Sequence, residues 1–288
     1  MENRKVKILI LSDGKAGHIN QSIAFAKLKN LDFDIITINN HIKLLTYILD
    51  FFHIYINLFS LHVKDKNYKA VVSTGSATYY ANKYFAKKLG IKSIAIMLPR
   101  GFRYSDFDTI IASSHDNPPQ EPNIISMPLS LSMSEPKGFV KKTTQKALGI
   151  IIGGSNSIFT MDEKSIKESL DKIFKDYPHH LKYITTSRRT PPPIDALLEN
   201  YSFDYEIIYS KNSTINPIAD FLVTCDELFI TIDSTSMLSE ARANSEANIH
   251  IIDLKSNKIN TKFHRLAETI KSMKTKFNYS PYLDRIAL

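Results

Sequence analysis

The sequence predicts an α/β protein with two Rossmann-like, doubly wound domains that face a cleft. Three observations predict this fold class. Short apolar runs typical of buried strands alternate with helix-forming stretches. The alternation stops over residues 128–144, where two prolines, a glycine and a lysine pair interrupt it, and then starts again. The chain has 288 residues, 43% of them hydrophobic, which is enough for two domains. We therefore expect an N-terminal domain over residues 1–135 and a C-terminal domain over residues 145–288, with the last helix a candidate to pack back on the N-terminal domain.

The N-terminal half contains six predicted strands, each a short apolar run bounded by polar or turn-forming residues. They lie at residues 6–11, 34–38, 70–74, 93–97, 109–113 and 123–127. Helices are predicted at residues 19–31, 41–63 and 77–89. Because strands and helices alternate, the sheet is expected to be parallel, with right-handed crossovers.

The C-terminal half repeats this pattern. Strands are predicted at residues 147–152, 181–186, 205–209, 227–232 and 248–254. Helices are predicted at residues 161–174, 217–223, 234–243 and 261–273, the first of them capped by Thr160 or Asp162. Ligands of doubly wound sheets bind beyond the carboxyl ends of the strands, so functional residues are expected in the strand-exit loops.

The net charge of +8 favours phosphate-bearing partners such as nucleotides or anionic lipid. The sequence has no long Lys/Arg block, zinc finger or RNA-binding signature, which argues against nucleic acid as a partner. The single cysteine, Cys225, rules out a disulfide framework within the chain and is typical of a reducing compartment. The N-terminus lacks the apolar stretch of a signal peptide, so we expect a cytoplasmic protein.

Residues 44–63 are rich in Leu, Ile, Phe and Tyr, but Asp50, His53 and Asn57 interrupt them. A transmembrane helix needs about 20 apolar residues with few charges, and this stretch is marginal by that test. Two interpretations stay open: an amphipathic element on the membrane interface, and a long helix packed in the core. The first predicts peripheral attachment to the inner membrane.

The loop after the first predicted strand carries the candidate catalytic residues. His18 and Asp13 are alternative general bases, since each lies where it could face a bound acceptor. Two glycines let the backbone of this loop approach a ligand. A plain strand-to-helix turn is the alternative, because the loop matches neither the Walker nor the dinucleotide pattern. Gly14, Lys15 and Gly17 of this loop are expected on the acceptor side, as is Gly75 at the exit of the third predicted strand, where an ordinary turn is the alternative.

Three strand-exit loops of the C-terminal half supply the candidate donor-binding residues. These are Gly153, Gly154, Ser155, Ser187, Arg188, Arg189, Asp233, Ser234, Thr235, Ser236 and Glu240. Amides, hydroxyls and a helix N-terminus suit a diphosphate, and arginine suits its oxygens. The carboxylate of Glu240 suits a ribose diol. An N-cap serine with a helix-face glutamate is the ordinary alternative for the last loop.

No spacing typical of a metal site is present, so neither a metal nor a resident cofactor is expected. His179 and His180 are neighbours and would point apart on a regular element. Asp106 and Asp108 form an Asp-x-Asp pattern, but they precede a predicted strand instead of following one.

The ordered set of these motifs resembles the Elm family, named for elongated mitochondria in plants and represented in many bacteria. The matching stretches are residues 13–18 with Asn20 and Gln21, Asp108, residues 115–117, 153–155, 187–191, 216–217, 233–241 and 262–264. They cover nearly the whole chain and add His115 to the expected acceptor side. The Gly14–His18 loop also resembles the Gly-rich, His-ending loop of the bacterial N-acetylglucosaminyltransferase that makes lipid II.

The resemblance implies the two-domain fold called GT-B and a metal-independent glycosyltransferase. The C-terminal domain would bind a nucleotide-sugar as co-substrate. The acceptor would be a lipid-linked or lipopolysaccharide- or lipooligosaccharide-core saccharide at the inner face of the cytoplasmic membrane, whose inner leaflet would be a further partner. Two alternatives are a non-catalytic, membrane-associated scaffold on the same fold and a sugar-nucleotide epimerase.

Overall fold

The structure, a computed structural model, describes residues 5–39, 42–59, 63 and 67–288. It divides into two compact units. Unit 1 comprises Met1–Met133 and Asn278–Leu288, and unit 2 comprises Ser134–Phe277. Within the described ranges, every helix is too short or too polar to cross a lipid bilayer.

Unit 1 is built on a six-stranded parallel sheet. Its strands are β1 (Lys7–Ser12), β2 (Asp32–Thr37), β3 (Tyr68–Thr74), β4 (Lys92–Ile96), β5 (Thr109–Ser113) and β6 (Ile124–Met127). Its first helices are α1 (Ala16–Leu28), α2 (Lys43–Phe51) and α3 (Tyr79–Leu89). The strand order is β2-β1-β3-β4-β5-β6, so the direction of winding reverses between β1 and β3.

The centre of this sheet is apolar on both faces, because helices cover both. Ile8 and Leu9 of β1 and Val71 and Val72 of β3 are fully buried. Phe85 of α3 packs in the same core as Leu9 and Val71. Continuous apolar runs in the sequence therefore became central parallel strands.

Unit 2 is built on a five-stranded parallel sheet and a small antiparallel pair. Its strands are β7 (Ala147–Ile152), β8 (Phe159–Thr160), β9 (Leu181–Thr186), β10 (Tyr205–Ile207), β11 (Glu227–Thr231), β12 (Asn248–Ile252) and β13 (Lys255–Ser256). Its helices are α4 (Glu163–Asp176), α5 (Pro192–Leu198), α6 (Ile218–Thr224), α7 (Thr235–Asn244) and α8 (Lys262–Ser272). The main sheet has the order β10-β9-β7-β11-β12, and β8 pairs with β13.

In unit 2, the predicted helix cap and the predicted buried cysteine are both found in the structure. Asp162 caps α4, because its Oδ1 accepts the amide hydrogen of Ser165 at 3.0 Å. Ile166, Leu170 and Ile173 of this helix pack into the core of the unit. Cys225 is buried, and burial raises the pKa of its thiol to about 12. Each unit by itself is a doubly wound, Rossmann-like α/β domain, so the predicted α/β fold class with two such domains is confirmed.

The predicted helix over residues 41–63 is wrong in length, since α2 ends at Phe51. His53 has a left-handed backbone with φ 57°, and the amide of Ile54 donates to the Leu49 carbonyl at 2.9 Å, which closes the helix C-terminus. Residues 54–58 follow without regular structure. Residues 40–41, 60–62 and 64–66, parts of the predicted helix among them, lie outside the described residues.

The last helix, α9 (Ser280–Leu283), belongs to unit 1. Tyr279 donates its hydroxyl hydrogen to the Ser130 carbonyl at 2.6 Å, and Lys29 Nζ donates to the Leu283 carbonyl at 3.0 Å. Of the C-terminal domain expected over residues 145–288, residues 145–277 lie in unit 2 and residues 278–288 lie in unit 1.

Candidate functional site

The candidate residues gather at the point in each sheet where the direction of winding reverses. In unit 1 this point lies between β1 and β3, and in unit 2 it lies between β7 and β11. The loops that follow such a pair of strands diverge and leave a crevice beyond the carboxyl edge. Asp13 and Gly75 directly follow β1 and β3, and Gly153 and Asp233 lie beyond the ends of β7 and β11.

His18 and Asp13, considered from the sequence as alternative bases, form a hydrogen-bonded pair. The distance between His18 Nδ1 and Asp13 Oδ2 is 2.9 Å. The Asp13 side chain is buried at 4% exposure, whereas that of His18 is 23% exposed. A carboxylate oxygen only accepts, so a neutral His18 ring donates from Nδ1 and keeps a lone pair on Nε2.

Gly75 makes room for the His18 ring. A Cβ atom at position 75 would lie 2.3 Å from His18 Nδ1, which no real side chain tolerates. The backbone at Gly75 also has φ +93°, a region that L residues rarely adopt. Glycine is therefore required there both by backbone conformation and by the close approach of the imidazole.

The remaining acceptor-side candidates of unit 1 are Gly14, Lys15, Gly17 and His115. The Gly14 amide donates to Ser12 Oγ, and the Lys15 amide donates to Asp13 Oδ1 at 3.2 Å, so both shape the loop. Gly17 lies in the first turn of α1. His115 is buried in a short 3-10 turn that follows β5. Because β4 lies between β3 and β5 in the sheet, His115 does not lie at the switch point between β1 and β3.

The Asp233 carboxylate connects three loops of unit 2. Asp233 Oδ2 accepts the Gly154 amide hydrogen at 3.0 Å and a hydrogen of Arg189 Nη2 at 2.6 Å. Asp233 Oδ1 accepts from the Thr231 hydroxyl at 2.6 Å. The Asp233 side chain is fully buried, so these donors compensate its desolvation. Asp233 thereby holds the exits of β7, β9 and β11 together.

The Gly153–Gly154 loop is closely packed against its neighbours. A Cβ atom on Gly154 would lie 2.0 Å from the Arg189 carbonyl oxygen. The Gly153 amide donates to Thr231 Oγ1 at 2.8 Å, and the Gly153 carbonyl accepts from the Ser187 hydroxyl at 2.8 Å. The amides of both glycines thus already have acceptors inside unit 2. Ser155 Oγ likewise accepts the Met161 amide hydrogen.

The two adjacent arginines after β9 differ sharply in their surroundings. Arg189 forms the ion pair with Asp233 and is about one-third exposed at 36%. Arg188 is exposed, and among the described residues its guanidinium has no hydrogen-bond or ion-pair partner. Arg188 is therefore the arginine available to a ligand at this edge.

Helix α7 begins at the same edge. Ser234 is its N-cap, and Ser234 Oγ accepts the Met237 amide hydrogen at 3.3 Å. Thr235 and Ser236 form the first turn, where amides have no partner within the helix. The Asn156 side chain donates to the Asp233 carbonyl at 3.1 Å and so holds the start of α7 against the β7 loop. The amides and hydroxyls of Thr235 and Ser236 suit an anion.

Glu240 lies farther along α7 and is largely buried. Its Oε1 accepts a short hydrogen bond from the Ser134 hydroxyl. The Ser134 amide in turn donates to Asn244 Oδ1 at 3.1 Å. Burial raises the pKa of the Glu240 carboxyl, and the Ser134 hydrogen bond opposes that rise only in part.

Several residues of these networks were not assigned to the site from the sequence. Three of them lie within two residues of a predicted site residue: Thr231, Thr190 and Asn156. The signal that could have indicated Thr231 is its hydroxyl at the end of a buried strand. Ser134 lies 106 residues from Glu240 in the chain, and no sequence pattern links the two. Among the residues that the structure describes, no group of three or more His, Cys, Asp or Glu side chains could hold a metal ion.

Comparison with known proteins gives a family match. The sequence model of the family Mitochondrial fission ELM1 matches residues 16–282. Uncharacterized protein RP120 of Rickettsia prowazekii (strain Madrid E) is 25% identical over an alignment of 291 positions that covers 84% of this chain and 82% of that protein. The family resemblance inferred from the sequence motifs is confirmed by the family match.

Solved structures with similar folds have low sequence identity. The E. coli ADP-heptose LPS heptosyltransferase II is 10% identical with a TM-score of 0.48, covering 92% of this chain and 99% of that chain. The UDP-GlcNAc 2-epimerase of Neisseria meningitidis bound to UDP-GlcNAc is 12% identical with a TM-score of 0.48, covering 93% and 90%. The glycosyltransferase SnogD of Streptomyces nogalater is 10% identical with a TM-score of 0.49, covering 99% and 100%.

Proposed function

This chain belongs to the Mitochondrial fission ELM1 family, and we propose that it is a metal-independent glycosyltransferase that uses a nucleotide-sugar. The acceptor is a lipid-linked or lipopolysaccharide- or lipooligosaccharide-core saccharide at the inner face of the cytoplasmic membrane. One observation carries the proposal: beyond the carboxyl edge of the unit 2 sheet, exposed Arg188 after β9 and the first turn of α7 after β11 lie in loops that the Arg189–Asp233 ion pair joins, and Glu240 lies farther along α7.

The diphosphate of the donor binds at the first turn of α7. The amides and hydroxyls of Thr235 and Ser236 donate to its oxygens, and the helix dipole favours its charge. Arg188 adds an exposed guanidinium that has no hydrogen-bond or ion-pair partner among the described residues. Gly153, Gly154 and Asp233 form the rigid wall behind this turn, so Asp233 acts as a positioning residue.

The ribose binds beside Glu240. Glu240 lies one to two turns beyond Thr235 on α7, about 7 Å along the helix axis. Its carboxyl already accepts a hydroxyl hydrogen, that of Ser134, so a ribose hydroxyl has a ready acceptor there. The hydroxyls of a ribose diol then replace or join Ser134 as donors.

His18 is the general base, and Asp13 orients its ring. The acceptor hydroxyl gives its proton to His18 Nε2 while its oxygen forms a bond to the anomeric carbon of the donor. The bond between that carbon and the diphosphate oxygen breaks, and the nucleoside diphosphate leaves with the electron pair. Arg188 and the N-terminus of α7 stabilise the charge that develops on it.

The donor proposal is tested by binding. Thermal-shift and calorimetric titrations of the full chain with UDP, ADP, GDP and CDP should show one preferred nucleoside diphosphate that raises Tm. Glu240→Ala should weaken that binding, and His18→Ala should leave it unchanged. The titrations are repeated with a chelator, which should not weaken binding.

The reaction is tested by turnover of the corresponding nucleotide-sugars with saccharide acceptors. His18→Ala should lower kcat by a factor of about 100 or more. Product analysis without acceptor distinguishes the alternatives. A sugar epimerised without transfer would replace the transferase by an epimerase, and a panel with no binding at all would favour a scaffold.

A further inference from the structure

The inner side of helix α2 of unit 1 carries two buried polar residues beside the partly buried Tyr47 and Leu49, which pack against the core. Thr46 and Asp50, one turn apart, are fully buried, whereas Leu44, Leu45 and Ile48 are exposed. A helix on the surface of a soluble domain normally shows the opposite arrangement. The exposed side of α2 therefore presents apolar surface that the described residues of unit 1 leave uncovered.

Exposed apolar side chains also follow the end of the helix in the chain. We call the whole set the α2 face, and its members are Ile42, Leu44, Leu45, Ile48, Phe51, Phe52, Ile54 and Ile56. These are eight of the fourteen large hydrophobic side chains that are exposed among the described residues. Leu44, Phe51 and Phe52 are 74%, 66% and 62% exposed. So dense a group differs from the scattered exposed apolar residues of ordinary surfaces.

A buried ion cluster holds the α2 face in this orientation. Lys83 Nζ lies 2.6 Å from Asp50 Oδ1, with both side chains almost completely buried. The Arg103 amide donates to Asp50 Oδ2 at 2.8 Å, and Tyr55 donates its hydroxyl hydrogen to Asp106 at 2.7 Å. Polar contacts thus fix the inner side of α2, so turning its apolar side inward would leave these charges unpaired.

Two exposed lysines lie beside the segment that carries the α2 face, whereas its neighbouring carboxylate Asp106 is paired with Lys83 and Arg103. Asp50 is the only carboxylate in residues 42–59, and it is buried and paired with Lys83. Lys43 is exposed at the start of α2, and its Nζ lies 5.8 Å from the centre of the Tyr47 ring. Lys87 is exposed, and its Nζ lies 5.7 Å from the centre of the Tyr55 ring. An apolar surface with a cationic margin fits an anionic partner.

We propose that the α2 face inserts into the interfacial layer of an anionic lipid bilayer, with Lys43 and Lys87 at the level of the phosphates. Apolar side chains bury among acyl chains while lysines contact headgroups, as in interfacial helices. A second copy of this chain fits less well, because a symmetric contact would bring like charges together. The proposal deepens the proposed function by assigning the surface that meets the membrane, and its evidence comes from unit 1 alone.

The experiment is flotation of the full chain with lipid vesicles and no nucleotide. Vesicles contain either phosphatidylcholine alone or phosphatidylcholine with an equal part of phosphatidylglycerol. We expect the wild-type chain to float with the anionic vesicles and much less with the neutral ones. The double variant Phe51→Asp/Phe52→Asp should reduce flotation by about tenfold or more.

Two controls separate insertion from misfolding. Ile259→Asp changes an 86% exposed side chain of unit 2 and should float like the wild type. Leu44→Ser/Ile48→Ser removes apolar area without adding charge and should also reduce flotation. Circular dichroism and Tm should stay unchanged in all variants, because the changed side chains are exposed.

The contribution of the two lysines to vesicle binding is tested with a separate variant. Lys43→Glu/Lys87→Glu should lower flotation with anionic vesicles and leave the small binding to neutral vesicles unchanged. The proposal is overturned if the wild-type chain does not float, or if Phe51→Asp/Phe52→Asp floats equally well. A sedimentation equilibrium showing a dimer that the same variant dissociates, without vesicle binding, would assign the α2 face to a second copy instead. Since no nucleotide is present, these outcomes leave the donor proposal untouched.

Discussion

At the scale of single residues, the position of the His18 ring depends on the absence of a side chain at Gly75. Gly75→Ala should displace the ring from Asp13, because the new Cβ would lie 2.3 Å from His18 Nδ1. We expect turnover to fall by about 100-fold, with the NMR shifts of the His18 ring changed. Gly90→Ala is the matched control, since Gly90 also has a positive φ but no atom within 4 Å of the added Cβ. Equal turnover in the two variants would contradict the role of Gly75.

The neighbouring arginines allow a second comparison. Arg189→Ala leaves the Asp233 carboxylate buried without its ion-pair partner and should lower the free energy of unfolding by about 2 kcal/mol, given that Arg189 is partly exposed. Arg188→Ala should change that free energy by less than about 0.5 kcal/mol. It should instead weaken binding of the preferred nucleoside diphosphate by about tenfold. Urea unfolding and calorimetric titration measure the two effects, and the reverse assignment would show that Arg189 is the ligand-binding residue.

The Glu240 carboxyl gives a pH dependence of stability. Its pKa in the folded chain is raised by burial, so the folded state keeps this proton at pH values where the unfolded chain has lost it. Glu240 therefore destabilises the fold increasingly as pH rises from its ordinary pKa through the raised one. We expect the Tm of Glu240→Gln to rise above that of the wild type over this pH range. At about pH 4 the two Tm values should be closer to each other. A Tm difference that is constant with pH, or that shrinks as pH rises, would contradict this.

At the scale of elements, the attachment of α2 depends on a buried ion pair. Lys83→Met leaves the Asp50 carboxylate buried and without its cation, which should cost about 3 kcal/mol of unfolding free energy. Adding Asp50→Asn removes the unpaired charge but keeps an acceptor for the Arg103 amide. The double variant should therefore recover much of the loss, as measured in a double-mutant cycle. Additive losses in the cycle would mean that the two side chains do not act as a pair.

Local sequence patterns were sufficient to predict some of the elements. The apolar runs of β1, β3, β7 and β11 predicted central parallel strands, because burial on both faces imposes a continuous apolar sequence. The Asp162 cap was one of two candidates, since Thr160 and Asp162 are both suitable N-cap residues. The end of α2 was missed, because His53 adopts a left-handed backbone, which only a small fraction of non-glycine residues adopt although histidine does so more often than most.

At the scale of the whole molecule, unit 1 includes both ends of the described chain. Leu283 and Ile286 of the C-terminal segment are almost fully buried there, next to exposed Asp284 and Arg285. Leu283→Ser/Ile286→Ser should lower the free energy of unfolding of unit 1 by about 4 kcal/mol or more. Asp284→Ser/Arg285→Ser should have little effect. Hydrogen exchange resolves the units: equal protection of unit 1 in both variants would show that the segment contributes nothing to its stability.

The sequence alone determined the class of fold, the strand exits that hold the candidate residues and the family. These features are local or ordered along the chain: strand periodicity, glycine-ended turns, helix N-termini and a series of motifs. Neighbouring residues such as Arg188 and Arg189 nevertheless looked equivalent, because a local pattern does not show which side chain faces inward.

Only the tertiary structure decided which of these residues act together. Strand order brings Gly75 against His18. It also brings the loop after β9, which carries Arg189, to Asp233, 44 residues away in the sequence. The same is true of Ser134 and Glu240, and of the buried Asp50–Lys83 pair that turns the apolar side of α2 outward. The physical reason is that contacts between distant segments depend on crossover connections and on where buried charges find partners, and neither leaves a periodic signal in the sequence.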